Sequence, residues 1–209
     1  MAQSFSAVHL PYHTMTITGH GFVTAVPDTA VIHLGVQSTG FDLSSIQSEN
    51  ARISSDIIDT LHNLGVSDIK TFQYTIEKLY DYQEGKQIEK GYSVRNILEI
   101  KTGDMGQIGN IIDAAVRAGA NVVDLISFVL SDSDPYYQQA LNLAVDNAIE
   151  KARSIAANLR IMFHPIPVRI VESSASPVPY QQFDRGVAAT PIVSGTLKIE
   201  ASVVADFTY

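Results

Sequence analysis

The 209-residue chain has no cysteine. That excludes disulfides, thiolate nucleophiles and cysteine-ligated zinc. It leaves the compartment open, since a cysteine-free chain suits either side of a membrane. Charge is scarce as well, at 17% of residues, and basic charge is scarcer: 14 Lys+Arg face 22 Asp+Glu, for a net charge of -8 and no basic run. Counterion release needs clustered Lys and Arg, so no nucleic-acid partner is expected. Long apolar runs are missing too. Nothing approaches the roughly 20 residues of a spanning helix, so no transmembrane segment is expected. The first 13 residues carry neither a basic start nor an apolar stretch, so no signal peptide is expected here and the cytoplasm is the expected compartment. What remains is a 45% hydrophobic, globular composition with length enough for a real core.

Pattern places the elements. Residues 14–37 read as two strands or one bent one. Ala30, Ile32, Leu34 and Val36 alternate with Val31, His33, Gly35 and Gln37, so one face is buried and His33, on the other, reads as a surface or interface residue. Residues 42–64 predict a helix with the stripe Ile46, Ile53, Ile57, Leu61 and Leu64, a cap at Asp42 or Ser44, and a left-handed end at Gly65. A hairpin follows, with Phe72, Tyr74 and Ile76 on one face and Gly85 in the turn. On its return strand Tyr92, Val94, Leu98 and Ile100 are expected inside, and Glu89, Arg95 and Glu99 on a solvated face. Tyr74, Tyr80, Tyr82 and Tyr92 crowd this hairpin. They read either as core-edge packing or as a subunit contact.

A second helix starts near Asp104, buries Met105, Ile108, Ile112, Ala115 and Val116, and ends at Gly119. Residues 122–130 are apolar on both faces, predicting a strand inside a sheet. Ser133-Asp134-Pro135 opens a long helix to about Arg160, with Asp as cap and Pro in the first turn. Its stripe is Leu141, Ala144, Ala148, Ala152, Ile155 and Leu159, and the alanines predict close packing. Two strands finish the chain. One carries Ile166, Val168 and Ile170. The other runs from Leu197 to Phe207 and is expected to leave an open edge. Between them, residues 174–193 with Tyr180 and Phe183 form a long loop, either mobile or an arm that docks on a neighbour.

The order β-β-α-β-β then α-β-α-β-β defines an α+β class, antiparallel sheets with helices packed on one face. The chain divides into a lead segment 1–13 and a domain 14–209, the latter in two halves, about 14–102 and 103–209.

No chemical motif survives inspection. Gly19-His20-Gly21 starts like a dinucleotide fingerprint, but the third glycine is absent and strand residues follow where a helix N-terminus is needed. A kink or bulge in a strand accounts for the glycines. His9 and His13 have metal-ligand spacing for a helix, which Pro11 opposes, and no carboxylate completes the set. His20, His62 and His164 have no local ligand partner. Asp132-Ser133-Asp134 starts like a calcium loop, yet Pro135, Tyr136 and Tyr137 stand where oxygen ligands and glycine belong, so the carboxylates read as helix caps. The expectation is no catalytic residue, no metal and no cofactor.

Several blocks together resemble the SIMPL-domain family over nearly all of residues 14–209. They are Ile17-Thr18-Gly19-His20-Gly21, Pro27-Asp28-Thr29-Ala30, Leu34-Gly35-Val36, Asn50-Ala51, Gly65-Val66 with Asp68-Ile69-Lys70-Thr71, Gly91-Tyr92 and Asn96. The series continues with Ala118-Gly119-Ala120-Asn121, Ile126-Ser127-Phe128, Ala140, Ala144, Lys151-Ala152, Thr190-Pro191-Ile192 and Gly195. The resemblance implies relatives that are bacterial periplasmic proteins linked to oxidative-stress defence. It also implies an immunogenic envelope protein that builds a large hollow oligomer, and animal members that associate with a signalling kinase. It supplies no catalytic residues. The expected function is thus a non-enzymatic homo-oligomer with a role in oxidative or general stress defence. The alternatives are an enzyme or small-molecule binder with a site between the halves, and a partner-docking module.

Overall fold

The computed structural model describes residues 13–83, 85–173, 180–181 and 194–209. The element order is β1 (Thr14–Ala25), β2 (Thr29–Gly40), α1 (Leu43–Asn63), β3 (Asp68–Gln83), β4 (Lys86–Thr102), a single 3-10 turn at Met105–Gln107 and α2 (Ile108–Arg117). Then come β5 (Val122–Val129), α3 (Asp134–Leu159), β6 (Arg169–Glu172), β7 (Tyr180–Gln181) and β8 (Leu197–Thr208). This is the expected α+β class with two antiparallel sheets. β7 is an addition inside the expected loop, pairing Tyr180 with Lys198 and Gln181 with Leu197. Apart from that pairing, the proposed docking arm around Tyr180 and Phe183 lies outside the described residues, as does His9.

The elements gather into two compact units. One holds β1, α3, β6, β7 and β8, the other β2, α1, β3, β4, α2 and β5. The grouping does not follow the expected division near residue 102, because β1 pairs with β8 at the far end of the chain.

In the second unit the strands run β3-β4-β2-β5. Ile32, Leu34, Val36, Leu98 and Ile100 face α1 and α2, which supply Ile57, Leu61, Ile108, Ile111 and Ala115. Asp42 caps α1 by accepting from the Ser44 amide at 3.2 Å. Gly65, at φ 84°, ends it: its N–H donates to the His62 carbonyl while Val66 donates to Leu61, closing the last turn's carbonyls. Three expectations fail here. Leu64 is exposed, because the helix ends one residue earlier, and Asn50 and Ser54 are buried in the stripe instead. Val116 is exposed on α2. β5 is an edge strand rather than an interior one, with Val123 and Leu125 exposed, so its apolar run does not mark burial on both faces.

In the first unit the strands run β1-β8-β6, with β7 also on β8. β8 is therefore paired on both sides and does not offer the open edge expected of it. Its pairing with β1 is unbroken from Thr14↔Thr208 to Ala25↔Leu197, so Gly19 and Gly21 mark no bulge. The reason for these glycines is α3. Its buried stripe is Ala140, Ala144, Ala148, Ala152 and Ala156, one alanine per turn, while the expected Ile155 and Leu159 are exposed. That stripe lets the helix backbone approach the strand. A Cβ on Gly19 would stand 2.0 Å from the Ala144 carbonyl oxygen, and one on Gly21 2.1 Å from that of Ala140. At the start of α3 the cap is Asp132, which accepts from the Asp134 amide at 3.0 Å, while Ser133 makes no side-chain cap.

Gly21→Ala should therefore cost about 3 kcal/mol, the upper end of ordinary overpacking. Gly103→Ala should cost less than about 0.5 kcal/mol, since a Cβ there meets the Asp28 carbonyl oxygen at an ordinary 3.5 Å. Urea unfolding of the pair measures the difference, and equal losses would refute the close helix–strand contact.

Candidate interaction surface and the charge cluster at its root

β3 and β4 form one long hairpin, and β3 is an edge strand of its sheet. Paired residues of antiparallel strands share a face. Tyr74↔Asn96 and Ile76↔Val94 place the even-numbered residues of β3 from Tyr74 onward on the face that carries Val94. Along that face Tyr74, Ile76, Tyr80 and Tyr82 are exposed, Tyr82 at 71%. Val94, by contrast, is fully buried under α1, where Asn50 Nδ2 donates to its carbonyl at 3.0 Å. The apolar face of the sheet thus continues along the hairpin as an uncovered tyrosine stripe. Lys78 sits in its middle. Its ammonium donates to Glu89 at 2.9 Å and lies 5.6 Å from the Tyr92 ring centre and 6.0 Å from that of Tyr80. The hydrogen bond to Glu89 raises the Lys78 pKa.

A second constellation lies at the root of the hairpin on the opposite face. His33 pairs with Glu99 across β2 and β4, with Nε2 3.1 Å from Oε2. Lys70 of β3 donates to Glu99 Oε1 at 2.9 Å, and Lys101 stands 3.7 Å from the same oxygen. Glu99 is thus the hub of three cationic or potentially cationic partners, and its side chain is only 13% exposed. The Lys70 hydrogen bond, then that of His33, holds its carboxyl below the usual carboxylate range. Both residues depart from expectation: His33 is buried and Glu99 is no part of a solvated face.

One bulge shapes this cluster, and a second makes a separate ion pair. Between Thr71 and Gln73 the register slips by one, and the extra residue, Phe72, turns to the Glu99 face. Its ring stacks on His33 with centroids 4.0 Å apart. Phe72 and Tyr74 consequently lie on opposite faces, against the uniform alternation expected. On β5 the slip falls between the partners of His33 and Leu34, and the extra residue is Asp124. Asp124 meets Arg95 Nη2 with both carboxylate oxygens, at 2.5 and 2.6 Å. No sequence signal announced either bulge, because both residues sit inside runs of strand formers.

The other singled-out residues hold backbone. Asp28 accepts from the Ser131 amide and hydroxyl, both at 2.7 Å, and from the Thr29 hydroxyl at 3.0 Å. The Ser131 contacts lower its pKa. Asn121 prolongs the sheet, accepting from the Gln37 amide at 2.8 Å and donating to its carbonyl at 2.9 Å. Asn50 also donates to the Val36 carbonyl at 3.2 Å, and Asn96 to the Ser54 hydroxyl at 3.0 Å. His13 is exposed, with its ring 5.8 Å from Tyr209. His62 lies 3.0 Å from the Val66 carbonyl and His164 3.3 Å from that of Ile166. Among the described residues no group of three or more His, Asp or Glu could hold a metal ion.

A group whose folded pKa is depressed stabilises the fold above its unfolded pKa, near 4.3 for Glu, and loses that contribution as pH falls through the folded value. Glu99→Gln should thus cost about 1–3 kcal/mol at pH 7. The loss should shrink below about pH 4, where the wild-type carboxyl also protonates. Denaturant titrations at both pH values measure it, and a deficit independent of pH would contradict the ionic hub.

Comparison with known proteins adds kinship. The model of the SIMPL family, described as "Protein of unknown function (DUF541)", matches residues 15–207. "Uncharacterized protein YggE" of Escherichia coli (strain K12) is 28% identical over 180 residues, 85% of this chain and 73% of that protein. "26 kDa periplasmic immunogenic protein" of Brucella melitensis is 28% identical over 188 residues, 85% of this chain and 75% of that protein. YggE of Edwardsiella ictaluri is 26% identical over 201 residues, 94% and 83% of the two chains.

Proposed function

The chain belongs to the SIMPL family, and from that premise we propose that it is a non-enzymatic protein that assembles with copies of itself through the β3–β4 hairpin. The tyrosine stripe on an edge strand carries this reading. No described strand pairs the outer side of β3, and an edge strand presents unpaired N–H and C=O groups to another chain. Beside that edge stand Tyr74, Ile76, Tyr80 and Tyr82, whose apolar bodies and polar tips suit a contact first wet and then buried. A stable contact needs about 800 Å² per partner, and a 16-residue strand has the length to contribute to one. The net charge of -8 is no obstacle, since dispersed charges are screened beyond about 8 Å at physiological salt.

The non-enzymatic part is supported by how the shared residues are used. Gly19, Gly21, Asp28, Asn50, Asn96 and Asn121 are each committed to close packing or to hydrogen bonds that hold the fold together. The His33–Glu99 pair has the look of an acid–base dyad, but Glu99 is shared with Lys70 and Lys101. We read it as a staple across three strands.

We extend the proposal to a role in oxidative or general stress defence, which the resemblance to the SIMPL family supports. The cytoplasmic expectation has no support, and the Brucella relatives, named as periplasmic, support a periplasmic location for this chain. No helix among the described residues is long and apolar enough to cross a membrane.

Light scattering after size exclusion should give a mass above the 22.7 kDa of one chain. Tyr74→Ser/Tyr80→Ser/Tyr82→Ser should lower it with an unchanged circular dichroism spectrum. A wild-type protein that stays at one chain's mass across micromolar concentrations overturns the reading. In cells, a deletion strain should lose peroxide survival and regain it with wild type but not with the triple variant. Fractionation should recover the protein outside the cytoplasm.

A further inference from the structure

The other sheet also has an open side, for no described strand pairs the outer side of β1. In an antiparallel edge strand, alternate residues turn both N–H and C=O outward. In β1 two of these outward groups are already taken. The His20 N–H donates to Asn147 Oδ1 at 3.1 Å, and the Thr18 carbonyl accepts from Lys151 Nζ at 2.9 Å. Asn147 and Lys151 are four residues apart on α3 and so stand one above the other on one side of the helix. They reach the edge because α3 lies backbone-close on Gly19 and Gly21. We propose that Asn147 and Lys151 are an edge guard, withholding β1 from pairing with an extended strand of a second copy.

The exclusion is geometric. An incoming strand would run about 4.8 Å from β1 and place its own amide and carbonyl about 2.9 Å from the same two atoms. Those positions are filled by a side-chain amide and an ammonium. Blocking Thr18–His20 divides the edge into Thr14–Ile17 and Gly21–Ala25, each at or below the length of a usual strand. Two copies meeting edge to edge would also bring their Lys151 charges together, a familiar deterrent to such pairing. Near the guard the groove beside β1 is lined by Thr16, Thr18, Lys151 and Ile155, so the side chains stand where a neighbour would enter. The guard concerns the edge that is withheld. It does not rest on the hairpin contact proposed above.

The test is Asn147→Ala/Lys151→Ala, with alanine keeping α3 helical. In dilute protein, Asn147→Ala should speed hydrogen exchange of the His20 amide about tenfold, with β8 amides unchanged. At micromolar concentrations and above, the double variant should show a larger mass by light scattering than wild type. Adding Thr18→Pro, which removes an outward N–H that an edge strand tolerates losing, should return the mass to the wild-type value. Should the alanine pair reduce helix content, the near-isosteric Asn147→Leu/Lys151→Met pair, which can make neither hydrogen bond, is held to the same outcomes. A double variant with wild-type mass at every concentration overturns the guard. So does growth that Thr18→Pro fails to reverse. A monomeric wild type would defeat the hairpin reading alone and leave this comparison intact.

Discussion

A helix lying backbone against backbone on an edge strand is the constraint from which much of the first unit follows. Two glycines and a ladder of alanines are the only side chains small enough to permit it. Once α3 sits that close, the polar residues on its flank come within hydrogen-bonding reach of the strand's outer groups. The same approach that packs the core therefore also covers the middle of the β1 edge. A bulkier stripe on α3 would hold the helix away and leave that edge uncovered.

The second unit is organised by polar staples instead. Asn50, Asn96, Asn121 and Asp28 bind main-chain groups or neighbouring hydroxyls between elements far apart in sequence. Glu99 binds side chains from three strands. Buried or half-buried polar atoms are costly when unpaired and strongly directional when paired. They fix register where apolar packing alone would tolerate a slip. Four residues of the SIMPL resemblance, Asp28, Asn50, Asn96 and Asn121, belong to this set.

Against those covered and stapled regions, the β3–β4 hairpin stands apart. It keeps an apolar face past the point where α1 buries it, and a strand edge with no described partner. The β1 and β3 edges are thus treated differently, one clasped by helix side chains and one flanked by tyrosines.

Much of this was determined locally. Period-two alternation identified β2, β4 and β8 and the inward set Val94, Leu98 and Ile100. Gly65 and Gly119 marked helix ends, because a left-handed φ there excludes a side chain cheaply borne elsewhere. The alanines of α3 foretold a close contact. What local pattern could not carry was the choice of neighbour. Whether the apolar run of β5 lies inside a sheet, whether β8 is an edge, and how the elements group into units depend on pairings between distant residues. A strand's composition is compatible with either position. Phe72 and Asp124 were lost for a related reason. One inserted residue reverses every face that follows it, and only the partner strand reveals the insertion. His33 and Glu99 read as surface residues one at a time. They become a buried pair only because β2 and β4 lie side by side and Phe72 closes over the imidazole, a coincidence in space that no spacing along the chain encodes.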